Sequence, residues 1–102
     1  MKNRKLRCYF FGCSPFAKEF LHDNSNLEAI GFLDNDSSKW GKTYEGLPIH
    51  SPSELYSLTF DRIVIASGSI YPILLQLLEL NVAEGSIEVP TKHLHLFSPL
   101  NY

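Results

Sequence analysis

No apolar run in this 102-residue chain approaches the ~18 residues of a membrane-spanning helix. Basic residues ahead of Phe10-Phe11-Gly12-Cys13-Ser14 faintly resemble a lipoprotein leader. The apolar stretch covers only residues 8–11, with Arg7 before it, and falls short of the ~7–15 residues of a signal core. Cysteine is scarce. Cys8 sits in a predicted strand and Cys13 in the turn after it, with no C-x-x-C, so a mutual disulfide is not expected. Unbridged thiols point to a soluble, cytoplasmic protein.

Charge of one sign is also lacking. A net charge of −2 gives no bulk attraction to nucleic acid or to an anionic membrane. The one basic cluster, Lys2, Arg4, Lys5 and Arg7, reads as the edge of the first strand. Catalytic couples are missing as well. None of the five tyrosines is followed by lysine at the fourth position, which removes the Tyr-x-x-x-Lys acid/base pair of short-chain dehydrogenases and epimerases. His22, His50, His93 and His95 are scattered, and no carboxylate or thiol completes a metal set beside His93-x-His95. Neither a catalytic residue nor a metal site is expected.

What is present is a core. Hydrophobic residues make up 44% of the chain, enough for one α/β domain. Residues 6–11 form a nearly continuous apolar run ending at Gly12, as in a strand buried on both faces. Ser14-Pro15 looks like an N-cap and first helical position, and Phe16, Ala17, Phe20 and Leu21 follow at helical spacing. Residues 27–33 form a second strand. Residues 37–49 read as a polar loop closing on a short strand at 47–49. Ser51-Pro52-Ser53-Glu54 carries capping-box signals for a short helix over residues 52–57. The β-branched run at residues 62–66 is a third long strand, residues 70–80 a leucine-rich helix and residues 86–89 a last strand. This alternation predicts a Rossmann-like, three-layer α/β/α fold with a mostly parallel sheet of four to five strands. Residues 1–90 are expected to form the domain and residues 91–102 a tail.

Three features converge at one end of such a sheet. Gly12-Cys13-Ser14-Pro15-Phe16-Ala17 is a worn G-x-G-x-x-G turn. Ser14 replaces the second glycine, and Pro15 removes an N–H that would face a phosphate. Asp34, Asn35 and Asp36 end the second strand, Asp34 lying 22 residues after Gly12, where a dinucleotide fold places its ribose-binding carboxylate. Asp and Asn also simply stop strands. Ser67-Gly68-Ser69 closes the third long strand and opens a helix facing the same crevice. Cys13 at a helix start is a candidate for a lowered pKa, though an idle thiol is the commoner outcome. Trp40 offers a face for stacking, or is a half-buried loop aromatic.

The segments Gly31-Phe32-Leu33-Asp34-Asn35-Asp36, Lys39-Trp40-Gly41, Gly46-Leu47-Pro48-Ile49, Ser53-Glu54-Leu55 and Ile63-Val64-Ile65-Ala66 carry a likeness to a family. With the strand–glycine turn–helix before them, they resemble the Rossmann-like, CoA-binding-like N-terminal domain of bacterial polysaccharide-biosynthesis proteins, over residues 6–89. That domain precedes nucleotide-sugar epimerase/dehydratases, sugar acyltransferases and some sugar methyltransferases. The resemblance implies a nucleotide-sugar-binding module whose chemistry belongs to a following domain. In the acyltransferase relatives the glycine turn and the acids hold the UDP part of a UDP-sugar. Carried over, Gly12, Ser14, Asp34 and Asp36 would surround such a ligand, with Ser67 and Gly68 opposite. The departure is Cys13-Ser14-Pro15, where the relatives are glycine-rich.

Two other readings stay open. One is a fragment of an NAD(P)-linked epimerase or oxidoreductase, with NAD(P) as the second candidate cofactor. The other is a docking or dimerisation domain without ligand. There, Leu94, Leu96, Phe97 and Leu100 of the tail would pack an adjoining catalytic domain or a second copy in a homo-oligomer.

Overall fold

A computed structural model describes residues 4–90. The tail at residues 91–102, with His93, His95 and its apolar side chains, lies outside the described residues, as do the first three residues.

The chain runs β1 (Leu6–Phe11), α1 (Phe16–Asp23), β2 (Leu27–Leu33), β3 (Thr43–Tyr44), β4 (Leu47–His50), β5 (Arg62–Ile65), α2 (Ile70–Glu79) and β6 (Ile87–Glu88). Short 3₁₀ turns occupy Ser37–Lys39, Pro52–Ser57 and Glu84–Ser86. The strands form one sheet in the order β3-β4-β2-β1-β5-β6, parallel except for the β3–β4 hairpin. This is the expected Rossmann-like α/β/α fold. Its sheet has six strands rather than four to five because the polar loop contains the two-residue strand β3. Glu45 (φ 52°) and Gly46 (φ 78°) both adopt positive φ between Tyr44 and Leu47, the backbone of a two-residue hairpin turn.

Alternation along the central strands builds a core on each face. Cys8 and Phe10 of β1, with Val64 of β5, pack under Phe16, Ala17 and Phe20 of α1. Tyr9, Phe11, Ile63 and Ile65 face the other way, against Ile73 and Leu77 of α2 and Leu55 of the second 3₁₀ turn. The register slips once: Cys8 pairs with Ala29 but Tyr9 with Gly31, leaving Ile30 as a bulge. Gly31 leaves space for the Tyr9 ring, which meets His50 and Phe60 edge-on at 5.8 and 6.1 Å.

Local signals explain most boundaries. The Ser51 hydroxyl accepts from Ser53 N–H at 3.2 Å while Glu54 Oε2 accepts from Ser51 N–H at 3.0 Å, completing the capping box. Helix α2 stops at Asn81 (φ 66°), where Val82 N–H returns to Leu77 O and Asn81 N–H to Leu78 O, both at 3.0 Å. Ser14 departs from its expected part as N-cap of α1. Pro15 takes that position with no side-chain cap, and the Ser14 hydroxyl donates to Ala66 O at 3.1 Å.

Candidate functional site

From β1 the chain moves outward to β2 and then to the edge hairpin β3–β4, of which β4 pairs with β2, before it returns across the sheet to β5 and β6. The crossovers therefore diverge between β1 and β5, and the carboxyl ends of these strands open a crevice there. A hollow of about 320 Å³ occupies this position, bordered by Gly12, Asp34, Asn35, Ser67, Ser69 and Gln76. Three sequence-derived candidates, Gly12, Asp34 and Ser67, thus meet in one hollow although each comes from a different strand end.

Asp34 organises the hollow. Its side chain is only 15% exposed and sits 3.6 Å from Lys39 Nζ. Oδ1 accepts from Asp36 N–H at 2.9 Å, and Oδ2 lies 3.4 Å from Cys13 N, a long hydrogen bond back to the glycine turn. The Asp34 carbonyl oxygen accepts the Trp40 indole N–H at 2.6 Å. One carboxylate therefore ties the β1 turn, its own turn and the Lys39 ammonium together.

The amides that a diphosphate would use are largely committed within the chain. Gly12 N–H donates to Leu33 O at 2.8 Å, Cys13 N–H to Asp34, and Ala17 N–H to Ser14 O at 3.2 Å. Pro15 has none. Across the crevice, Ser69 N–H donates to the Ser67 hydroxyl at 3.1 Å. The hollow combines an apolar wall of Phe11, Pro72 and Ile73 with the hydroxyl, amide and carboxylate groups of Ser67, Ser69, Asn35, Gln76 and Asp34, and the Lys39 ammonium pairs with that carboxylate. Such a lining matches sugar and ribose hydroxyls better than two phosphates.

The other candidates do not border this hollow. Ser14 lines a separate apolar cleft of about 300 Å³ between α1 and the β3–β4 hairpin, where Lys18 and Glu45 pair at 3.8 Å. The Asp36 carboxylate caps its own 3₁₀ turn, accepting from Ser38 N–H at 3.0 Å and Ser38 Oγ–H at 2.7 Å. The Ser38 hydroxyl, then its amide, hold that carboxyl below the usual carboxylate range. Gly68 lies in the turn between Ser67 and Ser69 without lining the hollow.

Cys13 is not activated. Burial first, then the Asp34 charge and a hydrogen bond to it, push its thiol up to about 11. Burial and the Glu28 charge push Cys8 up to about 12. Both cysteines are free. Among the described residues no cluster of three or more His, Cys, Asp or Glu side chains could hold a metal ion. No helix among them is long and apolar enough to cross a membrane.

Asn35, expected with Asp34 at the end of the second strand, does border the hollow, whereas sequence reading missed Gln76 on its rim and Lys39 beside Asp34. The Asn35 and Gln76 side-chain amides bond each other reciprocally, both contacts 2.9 Å, tying the loop after β2 to α2. For Lys39, its closeness to Asp34 along the chain offered a signal. A partner 41 residues away offered none.

The chain belongs to the C2185-like N-terminal family, which matches residues 5–88. Among solved structures it is similar to UDP-D-quinovosamine 4-dehydrogenase from Vibrio fischeri, with a TM-score of 0.61 and 20% sequence identity. The match covers 83% of this chain and 75% of that one, and at this identity the likeness is one of fold. No curated protein matches the sequence. Family and fold together bear out the Rossmann-like N-terminal domain that the sequence resembles.

Proposed function

We propose that the crevice binds a nucleotide-sugar, and that the domain serves bacterial surface-polysaccharide biosynthesis as a binding module without catalysis of its own. The carrying observation is the meeting of Gly12, Asp34 and Ser67 in one hollow at the switch point of a Rossmann-ordered sheet. In this reading Asp34 accepts ribose or sugar hydroxyls, and Ser67 and Ser69 offer further polar contacts opposite. Gly12 lets the backbone approach. Ser14, Asp36 and Gly68 then act on the ligand only through the turns they shape. Residues 1–90 are the binding unit, residues 91–102 lead towards an adjoining catalytic domain, and any reaction belongs there. NAD(P) is the second ligand in this reading, because a carboxylate ending the second strand suits either ribose.

Thermal unfolding against UDP-GlcNAc, UDP, NAD, NADP and CoA tests the proposal. A ligand at ten times its Kd stabilises the folded state by about 1.4 kcal/mol, or several degrees for a domain of this size. Stabilisation by UDP and UDP-GlcNAc but not by NAD supports the module. Stabilisation by NAD alone promotes the oxidoreductase fragment. No shift at millimolar ligand leaves a docking domain.

A further inference from the structure

A second hollow of about 420 Å³ adjoins the crevice, walled by Trp40, Ser51, Ser53 and Leu80, and Asn35 and Gln76 border both. The reciprocal amide pair thus stands between the two spaces. We infer that this second hollow is a nucleobase subsite, with Trp40 as its stacking wall and the Asn35–Gln76 pair as its polar reading edge. The inference rests on the nucleotide reading of the crevice.

Trp40 is held ready for that part. Its indole N–H is fixed on the Asp34 carbonyl oxygen, and its backbone N–H donates to Ser37 O at 3.3 Å. Gly41 N–H next to it bonds Ile49 O at 3.1 Å, which pins the loop to β4. Even so the residue remains 40% exposed. An aromatic ring so tethered, with surface left in water, gains by covering its face with a flat heterocycle. The tether also sets the distance relation: a ribose on the Asp34 carboxylate has Trp40 beside it, because both groups belong to the same anchored turn.

The amide pair supplies what stacking lacks. Reciprocal bonding uses one N–H and one lone pair of each amide, leaving a second N–H and a second lone pair on each. A base edge that places a donor next to an acceptor, such as the imide of uracil or the amino edge of adenine, matches that set. A sugar phosphate without a base does not.

Trp40 is the only tryptophan in the chain, so its fluorescence reports this hollow alone. The test titrates the full chain with UDP, AMP and GlcNAc-1-phosphate, reading tryptophan emission beside calorimetric binding. Saturable quenching by a nucleotide, with none from GlcNAc-1-phosphate, is expected, and the preferred nucleotide identifies the base. Trp40→Ala is expected to weaken calorimetric affinity for that nucleotide about tenfold, and Gln76→Leu to weaken it severalfold. Leu75→Ala, on the solvent side of the same helix, leaves it unchanged. Calorimetric binding with unaltered emission and wild-type affinity in Trp40→Ala and Gln76→Leu would overturn the subsite while sparing the nucleotide reading. Absence of calorimetric binding by either nucleotide would overturn both.

Discussion

Gly12 packs on Ala66 with no room for a side chain: a methyl on its Cα would lie 2.7 Å from the Ala66 carbonyl oxygen. The same carbonyl accepts the Ser14 hydroxyl. The glycine turn is thereby fastened to the end of β5, and this contact helps give the crevice its fixed shape. Gly12 also holds φ at +116°, outside the range that L side chains favour. Backbone strain and overlap with a backbone atom act together here. Gly12→Ala is therefore expected to cost about 3 kcal/mol, lowering the melting temperature by more than ~10 °C. Gly41→Ala, at φ +80° with open space around it, costs about 1–2 kcal/mol. Thermal denaturation of the two variants side by side checks the difference.

Gly31 and Tyr9 form a second steric pair. A methyl at Gly31 would lie 2.7 Å from Tyr9 Cε1 and 3.2 Å from Pro48 O, and the ring cannot retreat freely between His50 and Phe60. Gly31→Ala is expected to destabilise by about 1–3 kcal/mol. In a Tyr9→Leu background, which removes the ring edge, the same change costs less. A double-mutant cycle by urea unfolding reads the coupling, expected to be at least ~0.5 kcal/mol.

The thiols give a signed pH prediction. Both Cys8 and Cys13 hold their protons more tightly folded than unfolded, at about 12 and about 11 against an ordinary thiol value of 9.0. Between those values the unfolded chain has lost protons that the folded chain retains, so stability falls as pH rises. Below pH ~9 these groups contribute no slope. Urea midpoints are expected to be flat with respect to the thiols at neutral pH and to decline from pH ~9 towards pH ~11. At pH 8 native Cys13 reacts slowly with iodoacetamide, and Asp34→Asn speeds it, since the thiolate is the nucleophile.

Ser51 is a buried polar residue whose hydroxyl caps the second 3₁₀ turn. Ser51→Ala is expected to cost about 1 kcal/mol, measured by chemical denaturation. Glu54 completes the box: the Ser51 amide first, and His50 after it, hold its carboxyl below the usual range. That contribution is present above the unfolded carboxylate pKa and is lost as pH falls through the lowered folded value.

The parts of the fold that sequence made legible are those with strong local chemistry. The apolar strands β1, β2 and β5, the amphipathic α1 and the Ser51 capping box each follow from nearest neighbours. The β3–β4 hairpin was hidden because its turn is Glu-Gly, where Asn-Gly or Asp-Gly would have announced positive φ at both positions. Ser14 carried a cap signature, but its hydroxyl accepts no helix N–H and instead donates to Ala66 O, 52 residues away. The site divides the same way. Spacing from a glycine turn located Asp34, and strand ends located Ser67. Asp36 carried the same acidic signal yet is consumed by Ser38, and the Asn35–Gln76 pair exists only once α2 lies beside the loop.

The most direct test of nucleotide-sugar binding in the crevice is an amide chemical-shift titration with UDP-GlcNAc. Saturable shifts are expected at Gly12, Asp34, Ser67 and Ser69 on the rim of the crevice between β1 and β5, and at Cys13, whose amide bonds Asp34. Shifts confined to Ala17, Leu21, Tyr44 and Leu47, which line the apolar cleft beside α1, or no shifts at millimolar ligand, would contradict it.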